Sequence, residues 1–217
     1  MADTTIDATA RIIELSDAAY RGFCRGISGM FGVDMGCRRK QAGPGRAAAL
    51  RAEAARGLRG RFPELTVVHV VAADGVLKGT FYFVFDQTGL FVLPGMVLML
   101  PKGRILEQVK RGSMETTASQ EDAAREMGNL LVGSWDKAFR DECQGHKHFI
   151  KKASLIGKLW EKPGPMELSA EDQVLLVLYQ MTLEPYPDFT CAAALPMSML
   201  AGIDSKGMER AGEVRQP

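Results

Sequence analysis

No Cys-x-x-Cys pair occurs in this 217-residue chain, and its four cysteines, Cys24, Cys37, Cys143 and Cys191, are scattered. That spacing suggests neither a zinc knuckle nor a dithiol redox motif. Three of the four sit among apolar residues and read as reduced core thiols. Long apolar runs are also lacking. The most apolar stretch, "GLFVLPGMVLML", is short and broken by Pro94-Gly95, so it reads as no bilayer span. The beginning, "MADTTIDATARIIEL", carries acidic residues and no apolar core, unlike a secretory signal, and a cytoplasmic location is expected. The net charge is only +1, which makes no whole-protein case for nucleic acid or a membrane surface. A nucleophile elbow, a P-loop and a dinucleotide-binding fingerprint are all missing. His146-x-His148 could supply two metal ligands, but only Cys143 lies near them in sequence, so an exposed polar turn is the expectation and no metal site is assigned.

What the chain does have is an ordinary globular composition, 46% apolar and 24% charged, with an uneven charge distribution. Arg38, Arg39, Lys40, Arg46, Arg51, Arg56, Arg59 and Arg61 face Glu53 alone. Within this basic insertion, 38–61, Gly43-Pro44-Gly45 marks a loop, and "RAAALRAEAARGL" reads as an exposed helix or mobile insertion. It is either a solvated charged segment or a docking surface for an acidic partner.

Apolar periodicity predicts a helix over 6–31, with Ile13, Tyr20, Cys24, Ile27 and Phe31 on one face and Gly32 as its stop. "VDMGC" reads as a short strand. "LTVVHVVAA" and "VLKGTFYFVFD" read as strands joined through Asp74-Gly75, a hairpin signal. His69, inside the first of these, reads as a core histidine, and Trp135 and Trp160 as core aromatics. "KGRILEQVKRG" predicts a short helix and "SMETTASQ" a polar connection. A second long helix runs from Ser119 to about Glu142. After it, "HKHFIKKASLIGKLWE" is strand-like in part, Pro163-Gly164-Pro165 is a turn, "VLLVLYQMTLEP" a buried strand, and "DFTCAAALPMSMLAGI" strand-like at first. Two long helices, each followed by strands, predict a duplicated α+β unit. The expected organisation is one domain over 1–205, with repeats of about 6–100 and 116–203, and a flexible tail over 206–217.

The second long helix keeps Gly128, Asn129 and Gly133, all poor interior residues, and each Gly costs about 1 kcal/mol against Ala. At 100° per residue, Asp122, Glu126, Asn129, Gly133, Asp136 and Arg140 fall within about 40° of one line. Met127, Leu130, Leu131, Ser134, Trp135 and Ala138 take the opposite arc. Gly133 leaves the polar face bare, so another molecule could come close there. A capping box of Ser119 and Asp122 would explain Asp122 without function. Asn129 has no such explanation, because nothing local needs its cap. The first helix repeats the pattern: Glu14-Leu15-Ser16-Asp17 parallels Glu126-Met127-Gly128-Asn129.

This pattern resembles the CheC/CheX/FliY-like family of chemotaxis phosphatases. The family motif, Asp or Ser, three residues, Glu, two residues, Asn, is present as Asp122, Glu126 and Asn129. "ELSDAAYRGFCRGISGMFGVDM" is similar to the family's other helix, with Ser28 and Gly32 in its Leu-Ser-x-x-x-Gly portion. The resemblance implies a pseudo-symmetric α+β domain with two long helices packed on a shared antiparallel sheet. It implies hydrolysis of the aspartyl phosphate of a CheY-type response regulator in a two-component system. Asn129 would orient the attacking water and Glu126 would pair with a regulator lysine, while Asp122, Gly133 and Asp136 would meet the partner. Mg²⁺ and the phosphoryl group would both belong to the regulator, and the chain would need no cofactor of its own. Asp17 stands where the family has Asn, so Glu14 and Asp17 would form a degenerate second site. No proline follows the second helix before Pro163, and the extra domain of FliY-type members has no counterpart, which favours the CheX or CheC type. The alternatives are a non-catalytic scaffold that binds a regulator, a receptor-modifying enzyme or a flagellar-switch component, and an adaptor working through 38–61. A homodimer is compatible with each.

Overall fold

The computed structural model describes residues 2–40, 52–54, 56–112, 117–158, 168–169, 171–201, 203 and 208. Helix α1 (Ala2–Phe31) leads into strand β1 (Met35–Arg39), and β2 (Ala52–Ala54) into the short α2 (Arg56–Arg61). The hairpin β3 (Thr66–Gly75) and β4 (Gly79–Phe85) is followed by α3 (Gln87–Val97) and α4 (Lys102–Arg111). Helix α5 (Ala118–Glu142) then precedes β5 (His146–Gly157), β6 (Gln173–Leu183), β7 (Phe189–Pro196) and the one-turn α6 (Met197–Leu200).

The strands form one antiparallel sheet in the order β1-β6-β7-β4-β3-β5, with β2 also pairing β6. This order reads the same from both ends. The hairpins β3–β4 and β6–β7 meet at β4–β7, Phe83 opposite Ala193. Each lone strand pairs with the other half's hairpin: β1 with β6, β5 with β3. The two halves, each a long helix, a lone strand and a hairpin, are thus related by a pseudo-twofold axis. The two long helices pack against each other and the same sheet face. They run antiparallel, since Arg11 pairs with Glu142 at 2.8 Å while Gly22 lies beside Ser134.

Few aromatics suffice for the core because they are gathered there. Trp135 stacks on Phe139 at 5.7 Å and meets Tyr20 edge-on at 6.0 Å, with Phe81, Phe83 and Phe149 packed around it. The opposite sheet face is covered by Leu58, Phe62 and Leu168 on Val68, Tyr82, Val84 and Val174.

Several local readings hold for identifiable reasons. Gly32, at φ 64°, ends α1 in the left-handed region, its N–H donating to Ser28 O at 2.9 Å. Ser28 Oγ accepts from Met35 N at 3.0 Å, so the Ser28…Gly32 pair turns the chain from α1 into β1.

Other readings are corrected. The cap of α5 is Thr117, whose hydroxyl accepts from Gln120 N while Gln120 Oε1 accepts from Thr117 N; Ser119 and Asp122 are not the box. Of the helix expected over "RAAALRAEAARGL", residues 56–58 are helical, in α2, but 52–54 form β2, which finds ladder partners along β6. Gly43-Pro44-Gly45, Trp160 and Pro163-Gly164-Pro165 lie outside the described residues. Within the expected tail, 206–217, only Met208 is among the described residues, and it is buried in the main core. Helix α3 carries no helical signal in the sequence: Gly89 to Met96 are all buried, so no amphipathic stripe marks it, and Pro94 sits inside it.

Candidate functional site

The site begins with how α5 sits on the sheet. Met127, Leu131, Trp135 and Phe139 anchor one side in the core. Gly128, between Met127 and Asn129, rests on His69 of β3. A Cβ there would come within 2.5 Å of His69 Nδ1 and 2.8 Å of Cγ, so only glycine lets the helix lie this low. His69 is fully buried and bonded through Nδ1 to Ser154 Oγ at 2.9 Å. Burial, and then the charge of Lys151, hold its pKa down at about 3, so the imidazole is neutral.

On the outer side, Asp122, Glu126, Asn129 and Gly133 are all exposed and follow one line, as the helical period requires. Asn129 Nδ2 donates to Glu126 Oε2 at 3.0 Å, which leaves its carbonyl oxygen without a part in that bond. Asp122, freed from any cap, pairs with Arg125. At Gly133 an added Cβ would meet nothing within 4 Å, so the ridge drops to bare backbone one turn beyond Asn129.

Lys151, on β5, was not anticipated. Its ammonium donates to the carbonyl oxygen of Arg125 and stands within the field of Glu126. Burial lowers its pKa, Glu126 raises it and Arg125 lowers it. Only the pairing of β5 with β3 brings it beside the helix, and no sequence spacing announces that.

Asp136 sits differently from the other residues of the polar line. Its side chain is only 15% exposed, and it accepts from His146 Nε2 at 2.8 Å and Phe149 N at 2.8 Å besides pairing with Arg140. It fastens the start of β5 to α5 rather than facing outward. His146 is thereby committed to Asp136, and among the described residues no group of three metal-ligating side chains occurs.

The repeated motif on α1 has a different chemistry. Glu14 is exposed and paired with Arg11 at 3.1 Å. Asp17 is half-buried. Its Oδ1 accepts from the Tyr179 hydroxyl at 2.7 Å, and its Oδ2 lies 3.5 Å from Arg39 Nη2. Ser16, fully buried, lies 2.8 Å from the same hydroxyl. Burial pushes the Tyr179 phenol well up, so it remains a donor. Tyr179 of β6 therefore stands under Ser16 as His69 of β3 stands under Gly128. Asp17, Arg21, Cys37, Arg39 and Tyr179 line a small open pocket of about 170 Å³. Arg38 and Lys40 are also engaged within the chain, with Gln180 at 3.3 Å and Thr190 at 3.0 Å.

No protein-family model matches the chain, and no curated protein matches it closely in sequence. Solved structures match over nearly its whole length. FliY from Thermotoga maritima superposes with a TM-score of 0.68 at 17% identity, over 90% of this chain and 92% of that one. FliM in a FliM–SpeE complex from H. pylori gives 0.69 at 8% identity, over 90% and 93%. FliM in a FliG–FliM complex from H. pylori gives 0.65 at 9% identity, over 90% and 98%. At such identities the likeness is one of fold. The chain thus has the pseudo-symmetric α+β fold of FliY and FliM, the fold that the resemblance to CheC/CheX/FliY-like proteins implied.

Proposed function

We propose that the exposed face of α5 is a phosphatase site for the aspartyl phosphate of a CheY-type response regulator. The observation that carries this reading is the Glu126–Asn129 pair, hydrogen-bonded at 3.0 Å on a ridge that falls away to bare backbone at Gly133. Hydrolysis of an acyl phosphate needs a water held in line with the P–O bond, and positioning supplies most of the catalysis. In this reading the side-chain carbonyl oxygen of Asn129 accepts a hydrogen bond from that water, which keeps both its protons until the phosphate product carries them away. Its Nδ2 is held by Glu126 until the partner docks. A neutral amide suits the task, because a carboxylate would repel the phosphoryl oxygens. Glu126 then pairs with a lysine of the regulator, and Mg²⁺ comes with the regulator. The water oxygen bonds to phosphorus, the P–O bond to the aspartyl carboxylate breaks, and inorganic phosphate leaves.

The α1 copy serves as an internal comparison. Asp17 carries a carboxylate at the corresponding position, occupied by Tyr179 and Arg39. It is assigned no catalytic part.

A second reading has its own support. FliM, with the same fold, is found in structures of complexes with FliG and with SpeE. A non-catalytic scaffold of the chemotaxis or flagellar-switch system would use the same α5 face for docking alone. Asn129→Ala separates the two. The phosphatase reading expects faster phosphate loss from a phosphorylated receiver domain with the wild-type chain, and none with Asn129→Ala, at unchanged binding. A binding protein would show regulator capture with no acceleration by either.

A further inference from the structure

Beside the α5 motif lies a basic group whose aim is set by an irregularity in a strand. β5 pairs with β3 in regular register from Thr66–Gly157 to Val70–Ala153. It then slips, so that Val71 stands opposite Lys151 and Lys152 is the extra residue of a bulge. Side chains alternate along a regular strand, so without the bulge Lys151 and Ser154 would face opposite ways. With it both turn to α5. Ser154 Oγ lies 2.9 Å from Nδ1 of His69, the ring on which Gly128 rests, and the Lys151 ammonium donates to the Arg125 carbonyl. In the helical ladder that carbonyl also accepts the N–H of Asn129, four residues on. The turn that carries Glu126 and Asn129 is thus held at two points, Gly128 and Arg125.

The α1 half shows the alternative. β1 keeps its register on β6, with Cys37 opposite Met181 and Arg39 opposite Tyr179. Since Tyr179 lies under Ser16 as His69 lies under Gly128, Arg39 takes the place of Ser154, and Cys37 that of Lys151. There the cation reaches the motif carboxylate itself, Arg39 Nη2 lying 3.5 Å from Asp17 Oδ2. On α5 the cation stands further along the strand and ends on a backbone carbonyl, and the Asn129 side chain keeps its bond to Glu126. We propose that Lys151 is a positioning residue for the motif, holding through the Arg125 carbonyl the helical turn that presents Glu126 and Asn129. Its expected effect on rate rests on the phosphatase reading, whereas its hold on the turn is a property of this chain alone.

The test compares Lys151→Met, which keeps a long apolar stem without donor or charge, with Lys151→Arg, which keeps both. Two readouts are taken on the full chain: amide hydrogen exchange at Asn129, and phosphate release from a phosphorylated receiver domain with Mg²⁺. Lys151→Met should speed exchange at Asn129 about threefold or more, while the amides of β6 and β7 keep their protection. It should lower kcat roughly tenfold with KM within about threefold, because a displaced water-orienting group costs rate more than binding. Lys151→Arg should restore both. Unchanged exchange at Asn129 in Lys151→Met would overturn the proposal, as would a Lys151→Arg chain as impaired as Lys151→Met. Protection lost equally across β6 and β7 would also overturn it, since Lys151 would then serve only general stability. If wild type accelerates release and Lys151→Met does so equally, the proposal falls and the phosphatase reading stands. If wild type accelerates nothing, the phosphatase reading falls, and exchange at Asn129 alone decides whether Lys151 holds the turn.

Discussion

Gly128 and Gly133 are five positions apart on one helix and are glycine for opposite reasons. Gly128 lies on the ring of His69 with no room for a methyl group, whereas Gly133 faces open space. Gly128→Ala should therefore destabilise the fold by about 1–3 kcal/mol through overpacking against a buried ring. Gly133→Ala should stabilise it by about 1 kcal/mol through helix propensity. Urea unfolding of the two variants should show these opposite signs. Gly133→Phe should fold as well as wild type yet lose action on the regulator, because a ring would stand where the partner approaches. At this scale the outer face was legible: a period of 3.6 is enough to line up Asp122, Glu126, Asn129 and Gly133. What lay beneath Gly128 was not, because His69 reaches it only through the pairing of distant strands. Asp136 shares the line by angle, but Cys143 to Phe149 turn back over that end of the helix, so its carboxylate is enclosed.

Elements were legible wherever one face is buried and the other wet. α1 and α5 alternate at helical spacing, and β3 and β4 carry β-branched or aromatic runs around Asp74-Gly75. α3, buried on all sides, carries no such contrast. β2 is too short to show a period, and its existence depends on the ladder that β6 offers. The junction of α5 and β5 depends on one carboxylate. Asp136 accepts from Phe149 N and His146 Nε2, both at 2.8 Å, and Asp136→Ala would strand both donors. The expected cost is about 3 kcal/mol, with the loss of amide protection concentrated at the start of β5. Hydrogen exchange of that variant would show it, and uniform protection would contradict the role.

The whole molecule is organised by its pseudo-twofold axis, and the duplication was visible in the sequence only as two helix–strand series and two four-residue echoes. The swap of β1 and β5 between halves was not visible, because strand order depends on long-range pairing. The end of the basic insertion is built into the fold. Residue 58 lies in a core: Leu58 is fully buried with Phe62 against Val68. Removing 41–58 would damage the fold, whereas removing 43–50 spares β2 and Leu58 and keeps residues to span from Lys40, at Leu178, to Ala52, at Leu175. The shorter deletion should retain regulator binding if α5 is the docking face. Loss of binding with intact stability would transfer the role to the insertion. Global stability should also depend on pH through His69. Its folded pKa, about 3, is below the ordinary 6.5, so on acidification the unfolded chain takes up the proton first. That contribution is fully present above about pH 6.5 and declines towards pH 3, by about 1.4 kcal/mol per unit. His69→Gln should flatten the slope of unfolding free energy between pH 6.5 and 4, measured in urea at each pH. No helix among the described residues is long and apolar enough to cross a membrane.

The most direct test of the α5 site is release of inorganic phosphate from a phosphorylated receiver domain with Mg²⁺, followed at increasing receiver concentration. The wild-type chain should accelerate release and saturate. Asn129→Ala should lower kcat at least a hundredfold at nearly constant KM, Glu126→Gln should raise KM, and Asp17→Ala should change neither. Release no faster than spontaneous decay, or an Asn129→Ala chain as active as wild type, would contradict it.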